Sequence, residues 1–375
     1  METFSWILMF FTLGYGVLVV LFFMGWKRLP GAGRSSTAYA RLTVVVAARN
    51  EAEKIRMCLE SLASQDYPHG YLEVIVVNDH SSDQTSSIIQ DFITSRKLSH
   101  FRLNNLTDPA GKSGKKHAIS LAADQAQGEY IITTDADCRA GAQWLATINH
   151  WIQAYDPAML IGPVVLTPAA SLFEKMQVLE FCSLSGTTGG AAGLHHPVMC
   201  NGANLVFRKN DFQEVDGYQG NMNYASGDDV FLLHKFYEAR KGKIFFMKDR
   251  QAMVQTDPVP TIKAFFKQRI RWASKSTGYK DWFTLLVAAL VAIVNLLLAV
   301  ALVMALLVPH HSLGVLPQAW LLKALVEFPL LWMVTGFYGK RALMWIFPLV
   351  FLVYPFYVVA SAMFTFAGPQ AKPWK

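Results

Sequence analysis

An apolar run, "EYIITTDAD" (129–137), ends in two carboxylates, Asp135 and Asp137, separated by one alanine. On an extended strand alternate side chains share a face, so both acids project together while Ala136 points away. Two such carboxylates make a hard, oxygen-rich site suited to Mg2+ or Mn2+ bridged to a diphosphate. A second acidic pair, Asp228-Asp229, precedes a helix pattern whose Phe231, Leu232 and Phe236 would face a core. Acids favour helix starts, so one reading is an N-cap pair. The other is a carboxylate that takes a proton from an attacking hydroxyl. "GKSGKKHA" (111–118) places glycines and lysines before a helix. It reads as a surface loop or as a close approach to an anion, with Lys115 at the phosphates. It lacks the full GxxxxGK[ST] pattern of an ATP-type P-loop. Finally, Gln268-Arg269-Ile270-Arg271-Trp272 carries the spacing QxxRW beside a long apolar run.

These groups need a scaffold, and the middle of the chain supplies one. "LTVVVAARNE" (42–51) and "LEVIVVND" (72–79) are continuous β-branched runs of the kind buried on both faces of a parallel sheet. A helix with Ile55, Leu59 and Leu62 at helical spacing lies between them. "KKHAISLAADQA" reads as another helix and residues 129–137 as the third strand. Alternating strands and helices predict a doubly wound, mostly parallel α/β sheet, in which ligands sit beyond the C-terminal strand ends. Those ends carry Ala48, Arg49, Asn50 and Glu51, then Asn78 and Asp79, then Asp135 and Asp137. Any single Asp could be a cap or turn former; three polar strand ends in register are harder to explain that way.

The flanks are of another kind. Hydrophobic residues make up 53% of the 375, and they concentrate at the two ends. Phe4–Met24 is charge-free and long enough to span a bilayer. Lys27, Arg28 and Arg34 follow it, which predicts an anchor with its C-terminal side in the cytoplasm. Phe283–Val308, Leu316–Tyr338 and Ala342–Ala367 are three further candidate spans. Lys323 and Glu327 sit at i,i+4 in the second and could pair. Pro348 and Pro355 are expected to kink the third, which could instead be re-entrant. The net charge of +7 gathers at membrane flanks, which favours a membrane over nucleic acid as partner. Cys58, Cys138, Cys182 and Cys200 have no paired spacing and predict free thiols. Domain boundaries are expected at 1–26 (anchor), 40–258 (cytoplasmic catalytic domain), 259–281 (interfacial helix) and 282–375 (membrane helices).

Asn78-Asp79, Asp135-x-Asp137, the acidic pair at 228–229 and QxxRW at 268–272 together resemble the membrane-integrated family 2 glycosyltransferases with a GT-A fold. That family includes cellulose, chitin and hyaluronan synthases and ceramide glucosyltransferase. The resemblance covers roughly residues 40–280. It implies that Ala48 and Glu51 line a nucleotide pocket and that Asp79 contacts the uracil of a UDP-sugar. Lys115 would lie near the pyrophosphate and Asp135 near the ribose and donor, with Asp137 on Mg2+ or Mn2+. Asp229 matches the family's catalytic base, with Asp228 where the family usually has Glu. Gln268, Arg271 and Trp272 would close over diphosphate and acceptor.

The implied reaction is an inverting transfer from a UDP-sugar to a lipid or glycan acceptor, rather than hydrolysis between two flanking carboxylates. The expected setting is a bacterial inner membrane with the catalytic domain cytoplasmic. About four spans favour one transfer to a lipid; a processive polysaccharide synthase and a non-catalytic nucleotide-sugar-binding subunit are the alternatives. On a helical projection of 262–275, Ile262, Phe265, Phe266, Ile270 and Ala273 share an apolar face. Lys263, Lys267, Arg271 and Lys275 form a basic stripe opposite, as on a helix lying at a membrane surface. Gln268, Arg271 and Trp272 fall at the border. "SLFEKMQVLEFCSL" (171–184) reads as either a second surface helix or a domain helix, and His195-His196 as an acceptor loop or an incidental polar one.

Overall fold

The computed structural model describes residues 2–31, 38–107, 113–222, 224, 226–240, 242–307 and 315–367. Gly111 and Lys112 of the glycine-lysine stretch, and residues 309–314, lie outside these. The chain forms two compact units. An α/β unit holds Leu29–Thr167 and His195–Asp257, and a helical unit holds Met1–Arg28, Pro168–Leu194 and Pro258–Ala371.

The α/β unit is built on β1 (Leu42–Ala48), β2 (Leu72–Asn78), β3 (Phe101–Asn105) and β4 (Tyr130–Asp135). It continues with β5 (Arg139–Ala140), β6 (Met159–Ile161), β7 (Val164–Leu166), β8 (Leu205–Arg208), β9 (Ile244–Phe246) and β10 (Val254–Thr256). The main sheet runs β3-β2-β1-β4-β8-β6-β9, and β5-β10-β7 form a small second sheet. β1 to β4 are mutually parallel; β8 is antiparallel to both β4 and β6. Every residue of β1 is buried, as its unbroken apolar run requires. Helices α2 (Ile55–Ala63), α3 (Thr85–Ser95), α4 (Lys115–Gln125), α5 (Trp144–Tyr155), α7 (Lys209–Glu214) and α8 (Asp228–Ala239) complete this unit. The remaining helices belong to the other unit. Register decides where the chemistry gathers: Ala48 pairs with Asn78, Asn78 with Asn105, and Ala47 with Asp135. The polar strand ends therefore finish level at one edge. Asn204, fully buried before β8, ties the far half together. Its amide donates to the carbonyls of Pro163 and Ala252 at 2.8 Å each, and it accepts from the Trp144 indole at 3.1 Å.

The helical unit contains α1 (Glu2–Arg28), α6 (Leu172–Gly193), α9 (Ile262–Ser274), α10 (Trp282–Leu307), α11 (Leu316–Phe337) and α12 (Phe347–Ala367). Among the described residues, four stretches are long and apolar enough to cross a membrane: Glu2–Arg28, Trp282–Leu307, Leu316–Phe337 and Arg341–Met363. Lys323 and Glu327 do pair, at 2.8 Å. Pro355 lies inside α12, whereas Pro348 occupies its first turn, where a missing N–H costs nothing. The expected kink at Pro348 is thus replaced by a helix start. Pro329, inside α11, is the interior proline that hydropathy alone did not single out.

Segment 171–184 opens α6, which packs in the helical unit and not in the α/β sheet. Its start is a capping box: Ser171 accepts from the Glu174 N–H and Glu174 accepts from the Ser171 N–H. Its far end is rich in glycine and alanine, and there α6 meets α1 backbone to backbone. A Cβ on Gly190 would lie 2.6 Å from the Phe22 carbonyl, and Cβ atoms on Gly25 or Gly193 would strike each other's helix. Small residues permit such an approach between apolar helices. Gly190→Ala should therefore cost about 1–3 kcal/mol by overpacking, read as a lowered melting temperature in detergent. Gly70→Ala, where nothing lies within 4 Å of the new Cβ, should change little. Equal melting for both would show that the contact is not tight.

Candidate active site

The site is assembled at the level edge of β1, β2 and β4. Asp79 follows β2 and is fully buried; its N–H donates to the Ala48 carbonyl at 2.8 Å. Ala48 is itself buried, so it contributes backbone here. One Asp79 carboxylate oxygen accepts from the Gly114 N–H at 2.8 Å, and the other pairs with His80 Nδ1 at 2.8 Å. Arg49 Nη1 stands 3.7 Å from Asp79, and its Nε is buried with no hydrogen-bond partner among the described residues. Asn78 meets Asn105 at 2.8 Å, and the Glu51 N–H donates to Thr85 Oγ1 at 2.8 Å.

Gly114 has φ +107° and ψ 157°, a conformation open essentially to glycine alone. It turns the chain into α4 so that the first two side chains divide their work. Lys115 donates to Asp135 Oδ1 at 2.6 Å and lies 3.2 Å from Asp228 Oδ2. Burial alone would lower the pKa of this ammonium, but Asp135 and Asp228 outweigh it and hold the value well above that of an ordinary lysine. Lys116, also buried, donates to the carbonyls of Asn221 at 2.6 Å and Tyr224 at 2.8 Å, and sits 5.0 Å over the Phe231 ring. It fastens the approach to α8. A lysine pair that reads alike in sequence thus has one member in the site and one in the framework.

Asp228 and Asp229 open α8 behind Gly227, which has φ +84°. Asp229 Oδ1 accepts from the Val230 N–H at 2.8 Å. Gly202 leaves the space in which these groups meet. A Cβ there would lie 3.0 Å from Asp228 Oδ2, 3.0 Å from Lys115 Nζ and 3.6 Å from Asp229 Cβ. Its carbonyl accepts from Thr133 at 2.8 Å. The fragment "NGANLVF" carries that signal only as small polar residues ahead of a strand.

Asp135, Asp137 and Cys138 offer ligand atoms all within 4.8 Å of one another. The carboxylates suit a hard divalent cation; the Cys138 thiol is a soft donor and suits it poorly. Burial, aided by Asp135 and Asp137, pushes that thiol's pKa well above the usual range. All four cysteines are free and buried, as expected. His196 pairs with the Tyr237 hydroxyl at 3.1 Å, a packing role that accounts for it.

Of the residues expected from sequence, Asp79, Lys115, Asp135, Asp137, Asp228 and Asp229 thus belong to one connected cluster. Gln268, Arg271 and Trp272 lie on α9 in the helical unit. The buried residues of α9 are Phe265 and Arg269, while Ile262 is exposed; Arg269 lies between these two apolar residues on the helical projection. A charge occupies the inner face because Glu180 of α6 neutralises it at 2.5 Å.

Residues 43–216 match the family described as glycosyl transferase family 2, and residues 130–363, more than half of the chain, match glycosyl transferase family group 2. The chain belongs to the family 2 glycosyltransferases. It is 27% identical over 238 residues to a poly-beta-1,6-N-acetyl-D-glucosamine synthase of Staphylococcus epidermidis, covering 62% of this chain and 53% of that one. It is 26% identical over 251 residues to the probable glycosyltransferase YdaM of Bacillus subtilis, covering 66% and 58%. It is 25% identical over 256 residues to a beta-monoglucosyldiacylglycerol synthase of Synechocystis, covering 66% and 50%. The matches therefore span about half the length of these curated relatives. In fold it is similar to the mannosyltransferase PcManGT of Pyrobaculum calidifontis, solved with GDP-Man and Mn2+. There the TM-score is 0.65 and the identity 20%, over 97% of this chain and 98% of that one. The α/β unit of this family 2 glycosyltransferase is thus a GT-A fold.

The strain at Gly114 gives a backbone test of the site. Gly114→Ala meets no atom of the described residues within 4 Å, yet should destabilise the protein by about 1–3 kcal/mol through its backbone conformation, as measured by chemical denaturation. A loss of less than a few tenths would contradict that conformation.

Proposed function

We propose that this glycosyltransferase moves a sugar, with inversion, from a UDP-sugar to a lipid acceptor at the cytoplasmic face of a membrane. The observation that carries the reading is Lys115 joined to both Asp135 and Asp228, which draws the donor-side and acceptor-side acids together. Asp79, Glu51 and the Ala48 strand end are assigned to the nucleotide, and Asp135 to the ribose and donor sugar. Asp137, with Asp135, is assigned to Mg2+ or Mn2+; bound there, the cation would offset charge on the departing diphosphate.

Asp229 is the base. It sits at a helix N-terminus, where negative charge is favoured, and one of its oxygens is already tethered to the Val230 N–H. The other Asp229 oxygen takes the proton from the acceptor hydroxyl as the hydroxyl oxygen attacks the anomeric carbon and the bond from that carbon to the diphosphate breaks. Asp228 holds Lys115 close to the leaving group and keeps the ammonium charged. Arg271 and Gln268 are assigned from their motif to the diphosphate, the former through paired N–H donors, and Trp272 to the acceptor.

Four helices able to cross a membrane and a relative named for a glucosyldiacylglycerol support a lipid acceptor. A relative named as a polysaccharide synthase supports processive synthesis as the second reading.

The test is purified protein with a panel of labelled UDP-sugars, GDP-mannose as control, and total membrane lipid. A discrete labelled lipid formed from one UDP-sugar is expected. A size-heterogeneous, water-soluble product would replace the lipid reading with the processive one. Asp229→Asn should lower transfer by about 100-fold or more, in the range for loss of a general base; an unchanged rate would show that Asp229 is not the base. Chelation with EDTA should abolish transfer and added Mn2+ restore it, while EDTA-resistant turnover would exclude the metal.

A further inference from the structure

Arg269, inside QxxRW but not one of its signature letters, is 6% exposed, and its partner Glu180 on α6 is 5% exposed. The contact has two points: Nε donates to one Glu180 oxygen at 2.9 Å and Nη2 to the other at 2.5 Å. Tyr357 of α12 donates its hydroxyl to the same carboxylate at 2.7 Å. The third nitrogen, Nη1, donates to the side-chain oxygen of Gln268. The guanidinium lies 4.3 Å from the Phe265 ring and 4.3 Å from the Trp272 ring. Trp272 also packs near Phe181 of α6, with centroids 6.4 Å apart.

Two of the three signature residues are thus touched by one buried cation. Because Arg269 occupies the Gln268 oxygen, the NH2 end of that amide is directed away as a donor. An amide turned the other way would present its oxygen to an anion and repel it. The guanidinium likewise fixes one face of Trp272 and limits the rotations open to the indole. A buried ion pair of this kind is a weak source of stability, since well-packed apolar residues often replace one at no cost. What an apolar pair could not do is orient Gln268 and Trp272.

We infer that Glu180 and Arg269 are positioning residues, a clamp from α6 that presents the Gln268 amide and the Trp272 ring to substrate. This rests on the reading of QxxRW as the edge that meets diphosphate and acceptor. It adds to that reading a helix nearly ninety residues upstream and an arginine the motif leaves unspecified.

The discriminating variant is the double substitution Glu180→Leu with Arg269→Met, which removes both charges and leaves neither unpaired. It is expected to fold, with wild-type elution and melting in detergent, while kcat falls about tenfold or more and the acceptor KM rises. Small misplacements of positioning groups act on that scale. A folded double variant with wild-type kcat and acceptor KM would overturn the inference, because the pair would then be packing alone. If the double variant does not fold, Arg269→Lys decides. It keeps the charge but cannot reach Glu180 and Gln268 together, so the same kinetic loss is expected and normal kinetics would again overturn the inference. Arg271→Ala, assayed alongside, separates the two levels. It should abolish transfer, and full activity in it would overturn the reading of QxxRW itself rather than the clamp.

Discussion

The ammonium of Lys115 is the point on which the α/β unit depends. Asp135, Asp137, Asp228 and Asp229 bring four carboxylates toward one strand edge, and like charges gathered there oppose folding. Lys115 answers two of them directly. The two arms differ. Asp228 is well sheltered at 15% exposure, whereas Asp135 stands open at 37%. Screening by water and salt is weaker on the sheltered arm. Lys115 thus has its shorter contact, 2.6 Å, with the more open Asp135 and its longer one, 3.2 Å, with the sheltered Asp228.

That ammonium is placed by backbone more than by its own side chain. The parallel register brings Ala48 level with Asn78, and the turn after β2 buries Asp79, whose carboxylate captures the Gly114 N–H. Gly114 then permits the turn into α4. One residue later Lys116 reaches to the carbonyls of Asn221 and Tyr224, which lead into α8. The start of α4 thus joins the ends of β1 and β2 to the helix that carries Asp228 and Asp229. Gly202 completes the arrangement by contributing no side chain where the three groups converge. Charge complementarity, a positive φ and an empty Cβ position all serve the same few ångströms.

Much of this was legible from sequence because it follows from short-range pattern. Unbroken β-branched runs at 42–48 and 72–78 forecast buried parallel strands, and the acids at their ends forecast a site. The membrane helices were legible from length and hydropathy alone. What pattern could not supply was pairing across distance. Nothing local links Lys115 to Asp228, or distinguishes Lys115 from Lys116, because partner geometry decides both. α6 belongs to the helical unit through glycine contacts with α1, a feature that a weakly amphipathic sequence does not announce. Arg269 falls between Ile262 and Phe265 on the apolar side of the helical projection, and nothing local reveals the Glu180 carboxylate on another helix that lets a charge be buried there. A proline in an apolar run is visible in sequence, but where the helix begins, which puts Pro348 in a first turn, is not.

The charges of the helical unit obey a rule of their own. Lys323 is 1% exposed and pairs with Glu327, which also accepts from Tyr15 of α1 at 2.5 Å. Lys323 lies 4.4 Å from the Phe351 ring and 5.3 Å from the Tyr354 ring. Glu180 and Arg269 form the second pair, capped by Tyr357. An ionised group in an apolar medium is costly unless paired and hydrogen-bonded, and both pairs meet that condition. Both do so against α12. Phe351, Tyr354 and Tyr357 recur at three-residue spacing and therefore share one side of that helix, with the two tyrosine rings 5.1 Å apart. One aromatic stripe thus serves a pair on α11 and a pair between α6 and α9. Aromatic rings accept cations on their faces and, in tyrosine, donate to carboxylates at their tips. A stripe of this composition can stabilise both ends of an ion pair without adding charge. These two buried ion pairs therefore sit on one internal aromatic seam, and Gln268 and Trp272 of α9 are anchored to it through Arg269.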